Sequence, residues 1–207
     1  MAKQTTSKKM QTEHEKPHPD GRRQRSQASR AKIVKAFMEL IESGDPSPSA
    51  ARVAKRAGVG LRSVFRHFDD MDSLYAEIDG ILNAKWGSFL TAPYKSGDWQ
   101  EQLIELIARR AKVNEATYTH RIMTSIARFR SELLMSNYKR LLKFEKDSLN
   151  RILPKFVQKD KQRSHAILLA TSFDSWRLFR QDEGLSNKRV IATMSQMVSD
   201  LAAQIDD

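Results

Sequence analysis

Apolar positions recur along most of this chain at the spacing of an α-helix. The first stripe, Ile33, Phe37, Leu40 and Ile41, predicts a helix from about Ser26 to Ser43, with Arg30, Lys32 and Lys35 lying largely off that face. Gly44-Asp45-Pro46 ends it, because proline cannot donate to a continuing helix and glycine tolerates left-handed backbone. Ser47 or Ser49 can cap a second helix whose inner face is Val53, Ala54 and Ala57. Its small alanines let a neighbouring helix approach closely, and Gly58 supplies the turn that follows. A helix of only about eight residues is unstable alone, so packing must hold it. A third short helix, Leu61 to about Phe68, turns Val64 and Phe68 inward with Val59. Leu61, Arg62, Ser63, Phe65, Arg66 and His67 are left with outward or sideways aspects. A fourth helix opens near Met71 behind Asp69 and Asp70, with Asp72 in its first turn, charges that suit a helix N-terminus. It carries Leu74, Tyr75, Ile78, Ile81, Leu82 and Trp86.

Beyond Trp86 the periodicity weakens, and Pro93 and Gly97 mark a connector. The remainder reads as helix. Gln102 to about Asn114 turns Leu103, Ile104, Leu106 and Ile107 inward, and Thr119 to Met135 does so with Ile122, Met123, Ile126, Phe129, Leu133 and Leu134. Tyr138 to Leu153 uses Leu141, Leu142, Leu149 and Ile152, and Pro154 closes it. Lys161 to Gln181 carries Ile167, Leu168, Thr171, Phe173, Trp176 and Phe179; Asn187 to Ile205 carries Val190, Ile191, Met194, Met197, Val198, Leu201 and Ile205. The glycine turn QDEGLS between them predicts an antiparallel hairpin. The last stripe is wide enough to meet both its own domain and another chain. The expected architecture is all-α: a flexible arm over residues 1–24, a three-helix head over 25–70 and a larger helical body over 71–207.

Composition narrows the function. Hydrophobic residues make up 40% of the sequence and charged residues 29%, enough apolar material for a packed core. There is no cysteine, which excludes disulfides, thiolate zinc sites and cysteine nucleophiles. No apolar run of 18 residues occurs and the N-terminal stretch is polar, so a soluble, cytoplasmic protein with no membrane partner is expected. The net charge of +11 raises the prior for a polyanionic partner. Between Arg22 and Phe68 eleven basic residues face three acidic ones, so much of the excess sits on the head. Arg22, Arg23 and Arg25, just before the first predicted helix, are placed to reach a minor groove or phosphates as a basic arm does. GxGxxG, GxxxxGK and GxSxG are absent; His14-Glu15-Lys16-Pro17-His18 carries the letters of HExxH but lies in a polar, flexible tail, where two histidines make a poor metal site, and His120 and His165 are isolated single histidines. An enzyme, a metal site and a cofactor are therefore not expected.

Residues 47–68, SPSAARVAKRAGVGLRSVFRHF, then stand out: two short helices joined by Gly58-Val59-Gly60 form the layout of a helix-turn-helix, whose second helix enters the major groove. Arginine can bond guanine O6 and N7, while serine and histidine suit phosphate oxygens. Ile33, Ala36, Phe37, Leu40 and Ile41, followed by Val53, Ala54, Ala57, Gly58, Val59, Ser63, Val64, Phe65, His67, Phe68 and Leu74, resemble the pattern ILxAAxxLI...IAxxAGVSxxSLYxHFxxKxxL of TetR-family transcriptional repressors. The resemblance spans roughly residues 28 to 80. Three departures stand out: Phe65 replaces a tyrosine whose hydroxyl reaches phosphate, Met71 replaces a lysine, and Gly60 replaces a Ser or Thr cap.

The resemblance implies a sequence-specific repressor of a double-stranded DNA operator. Contacts are then expected from Ser49, Leu61, Arg62, Ser63, Phe65, Arg66 and His67, supported by Arg22, Arg23 and Arg25. It also implies a homodimer in which the last hairpin pairs into a four-helix bundle, with Phe173, Trp176, Phe179, Met194, Met197, Val198, Leu201 and Ile205 as interface candidates. A small, largely apolar effector in the body is implied too. Trp86, Phe89, Trp99, Tyr118, Met123, Phe129, Tyr138 and Trp176 are candidate lining residues, and the same side chains can equally fill the core. The alternative function is a non-sequence-specific architectural DNA-binding or protein-interaction module.

Overall fold

A computed structural model describes residues 19–45 and 47–203. Its elements are α1 (Pro19–Glu42), α2 (Ala50–Ala57), α3 (Leu61–His67), α4 (Met71–Thr91), α5 (Trp99–Ala127), a 3-10 turn (Arg128–Arg130), α6 (Glu132–Asn150), α7 (Lys155–Lys159), α8 (Lys161–Ala170), α9 (Phe173–Arg177), a π-turn (Leu178–Asp182) and α10 (Asn187–Ala203). Among the described residues there is no strand, and no helix is long and apolar enough to cross a membrane.

Helix α1 starts at Pro19, seven residues before the expected Ser26. Proline is preorganised for a first helical position, where its missing N–H costs nothing. Arg22, Arg23 and Arg25 therefore ride on a helix and not on a flexible arm, while the rest of that arm, His14, His18 and Ile205 lie outside the described residues.

The head packs as its stripes predict. Ile33, Phe37, Leu40, Ile41, Val53, Ala54, Val64, Phe68, Leu74, Tyr75 and Ile78 are buried together, and Tyr75 meets Phe37 edge-on at 4.7 Å between ring centroids. This core also takes Leu134 from the first turn of α6, with Met123 and Ala127 of α5 packed against it, so the head is built onto the body.

Expected and observed elements part company in the body. The NEATYTH stretch carries no Gly or Pro, and α5 runs unbroken through it for 29 residues. The break falls later, where the Ser131 hydroxyl caps a new helix by accepting from the Leu134 amide. That restart changes the helical phase. Ile126, Phe129 and Leu133, expected inside, are exposed, as are Ile104 and Leu142. Another break at Thr171-Ser172 divides the expected helix 161–181 into α8, α9 and the π-turn, with Ser172 capping α9.

Leu103, Leu106, Ile107, Leu149, Ile152, Ile167, Trp176, Val190, Met194 and Val198 form the body core, with α10 lying along α5. Two arginines are buried beside it. Arg110 donates to the Thr171 carbonyl at 3.0 Å, the Glu145 carbonyl at 2.6 Å and the hydroxyls of Thr171 and Ser148, tying α5 to α6 and to the end of α8. Arg109 holds the α4–α5 connector through the carbonyls of Ala92 and Pro93 and pairs with Glu105. Neither burial was visible in the pattern of charges.

Candidate nucleic-acid interface

The turn between α2 and α3 depends on Gly58. Its φ of +65° lies in the left-handed region, and its amide bonds back to the Lys55 carbonyl to close the helix. Upstream, Ser49 caps α2 by accepting from the Arg52 amide, which leaves its own hydroxyl proton free for an acceptor outside the chain. Gly60 stands at the N-cap of α3 with no side chain to bond there. The seven-residue helix is held from within by Val64 and by Phe68 at its end.

What α3 leaves outward is Leu61, Arg62, Phe65 and Arg66. Phe65 is 52% exposed and Leu61 46%, large apolar side chains on a surface flanked by two arginines. Ser63 is half-buried, and its hydroxyl accepts a long 3.4 Å bond from Arg66 Nη2. His67 behaves otherwise. Its Nε2 is enclosed without a hydrogen-bond partner. Burial, aided by the charges of Arg66 and Arg30, lowers its pKa below the ordinary 6.5, so at neutral pH the ring is uncharged.

The structure sorts the basic residues of the head into engaged and free. Arg52 pairs with the buried carboxylate of Asp45 at 2.5 Å, Arg56 lies 3.7 Å from Glu39, and Arg30 is held by Glu77. Arg62 and Arg66 make no ion pair among the described residues. Arg22, Arg23 and Arg25 are exposed along the first turns of α1.

The aromatic residues proposed to line one cavity are dispersed. Trp86 pairs with Phe89 at 5.9 Å, Trp99 with Phe156 at 6.5 Å, and Phe129 and Tyr138 share the guanidinium of Arg128. Met123 packs under the head. Tyr118 and Trp176 meet elsewhere, joined by Phe173 in a three-ring cluster in which Arg121 stacks over Phe173 at 4.0 Å. The candidates are spread over α4, α5, the 3-10 turn, α6 and α9.

Among the interface candidates, Trp176, Met194 and Val198 are fully enclosed in their own body, with Trp176 Nε1 donating to Asn187 Oδ1 at 3.1 Å. They have no surface to offer a second chain. Phe173, Phe179, Met197 and Leu201 keep part of theirs. Leu169, 62% exposed on α8, and Leu178 in the π-turn are exposed leucines that the pattern did not select. Their signal was available, since Leu169 lies out of phase with the buried Ile167, Ala170 and Thr171.

The all-α fold, a helix-turn-helix head seated on a helical body, is shared with two solved structures. A transcriptional regulator from Rhodococcus sp. Rha1 superposes with a TM-score of 0.66 at 16% identity, covering 86% of this chain and 96% of that one. A putative TetR-family transcriptional regulator from Syntrophomonas wolfei str. Goettingen does so with a TM-score of 0.63 at 19% identity, again over 86% and 96% of the two chains. No protein-family model and no curated protein matches the sequence.

Proposed function

We propose that this chain is a homodimeric transcriptional regulator that binds double-stranded DNA sequence-specifically through α3 and acts as a repressor. The observation that carries the reading is the outer face of α3: Arg62 and Arg66 without ion pairs beside exposed Leu61 and Phe65, on a helix set by the Gly58 turn. Two arginines supply guanine contacts, and the apolar side chains fit the methyl groups of thymine. Such a face reads bases. A surface made only to neutralise phosphate would have no use for a half-exposed phenyl ring at its centre. Ser49 and the α1 arginines supply backbone contacts in this reading.

Dimerisation would use the exposed sides of α8, α9 and α10, where Leu169, Leu178 and the uncovered parts of Phe173, Phe179, Met197 and Leu201 lie. A small, largely apolar effector would find contiguous ring surface at Tyr118 and Phe173. Selection of duplexes from a random pool by the full-length protein tests the reading, followed by a screen for compounds that release the selected duplex. Enrichment of a two-fold symmetric site supports a dimeric reader, and recovery of unenriched sequence supports the architectural alternative.

A further inference from the structure

Arg30 counts in the sequence as one more positive charge on the head, but its surroundings give it a different task. Nε and Nη2 donate to the two carboxylate oxygens of Glu77 on α4, at 3.2 and 2.9 Å. Nη1 donates to the carbonyl of His67, the last residue of α3, at 2.7 Å. The guanidinium lies over the Phe68 ring, 4.3 Å from its centroid. One side chain of α1 thus joins the end of α3 to α4 while covering the aromatic residue that anchors α3 to the core. The last carbonyls of any helix lack partners within it, and a helix of seven residues depends on contacts from other elements to hold it.

We propose that Arg30 is a positioning residue for base recognition: it touches no DNA and sets the pose of α3 through Glu77. The proposal rests on the reading of α3 as a DNA-reading helix. It also gives α4 a two-sided part. Two residues beyond Glu77, roughly 200° around the helix, Asp79 accepts from His120 Nε2 of α5 at 2.7 Å and from Asn137 Nδ2 of α6 at 3.0 Å. Helix α4 is therefore held to the recognition helix on one side and to the body on the other.

The test uses the full-length protein, the selected duplex and an unrelated duplex of equal length at one salt concentration, with Arg30→Lys and Glu77→Gln. Lysine keeps the charge but cannot hold a carbonyl and a bidentate carboxylate in one plane. Arg30→Lys is expected to lose about tenfold in affinity for the selected duplex and to bind the unrelated duplex within about twofold of wild type. Glu77→Gln separates positioning from charge by sign. Removing a negative charge from a DNA-binding head would, on charge alone, tighten binding to both duplexes; the proposal expects weaker binding to the selected one. Thermal midpoints of both variants confirm that folded protein is compared. Retained selectivity in Arg30→Lys, or tighter binding to both duplexes by Glu77→Gln, overturns the proposal. If wild type selects no duplex at all, the DNA-reading assignment fails first and this one falls with it.

Discussion

Phe65 sits half out of the protein at the middle of the α3 face, where a phenyl ring gains nothing from water. On the proposed reading an apolar partner covers it, and in a major groove the apolar group is the thymine methyl. Replacing single thymines of the selected duplex by deoxyuridine removes only that methyl. Wild type is expected to lose about 0.8 kcal/mol at one position, whereas Phe65→Ala is expected to be indifferent to the same change; equal sensitivity of the two proteins would remove Phe65 from this role. His67 makes a pH-dependent contribution. Its pKa is lowered in the folded chain by burial, then by Arg66 and Arg30, so the unfolded chain takes up the proton at higher pH. Stability is full above 6.5, falls as pH drops through 6.5 and levels off once the lowered value is passed. Thermal midpoints measured across this range should show a shallower acid-side loss for His67→Gln than for wild type.

At the scale of elements, the glycines flanking the turn separate backbone need from space. An added Cβ meets nothing within 4 Å at either Gly58 or Gly60, so a clash decides neither substitution. Gly58 needs its left-handed φ, and Gly58→Ala should cost about 1–2 kcal/mol. Gly60 has an extended backbone and an uncapped helix ahead of it, so Gly60→Ser should instead stabilise by roughly a few tenths of a kcal/mol. Denaturant unfolding of the two variants gives the two signs. The helix-turn-helix was readable because it is local: apolar spacing, Gly58 and the inward pair Val64 and Phe68 all lie within a few turns. The body was less so. The absence of Gly and Pro in NEATYTH was a local sign that α5 continues, but nothing in a single helix reveals that Ser131 restarts the chain in a new phase, or that Arg109 and Arg110 turn inward to bond carbonyls of other segments. Aromatic residues that could line one pocket or fill the core could not be sorted without the packing of the elements that carry them. The start of α1 did have a local sign, Pro19, that charge and polarity masked.

Over the whole molecule, the proposed dimer requires two heads held at a fixed separation, since a two-fold symmetric reader recognises two half-sites. The exposed leucines of α8 and the π-turn bear on this. Leu169→Lys places a charge on a surface that a second copy would cover, and it leaves the buried residues of α8 untouched. Sedimentation analysis should show wild type as a dimer and Leu169→Lys shifted towards monomer, with affinity for a full site falling more than affinity for an isolated half-site. Unchanged dimerisation would move the interface elsewhere. Sequence-specific reading by α3 is the central claim, and competition binding of selected against unrelated duplex at several salt concentrations tests it most directly, with wild type beside Arg62→Ala. The expected result is a preference that persists as salt rises and a loss of about 1–3 kcal/mol in Arg62→Ala confined to one base pair of the site. Equal affinity for both duplexes, falling together with salt and unchanged by Arg62→Ala, would contradict it.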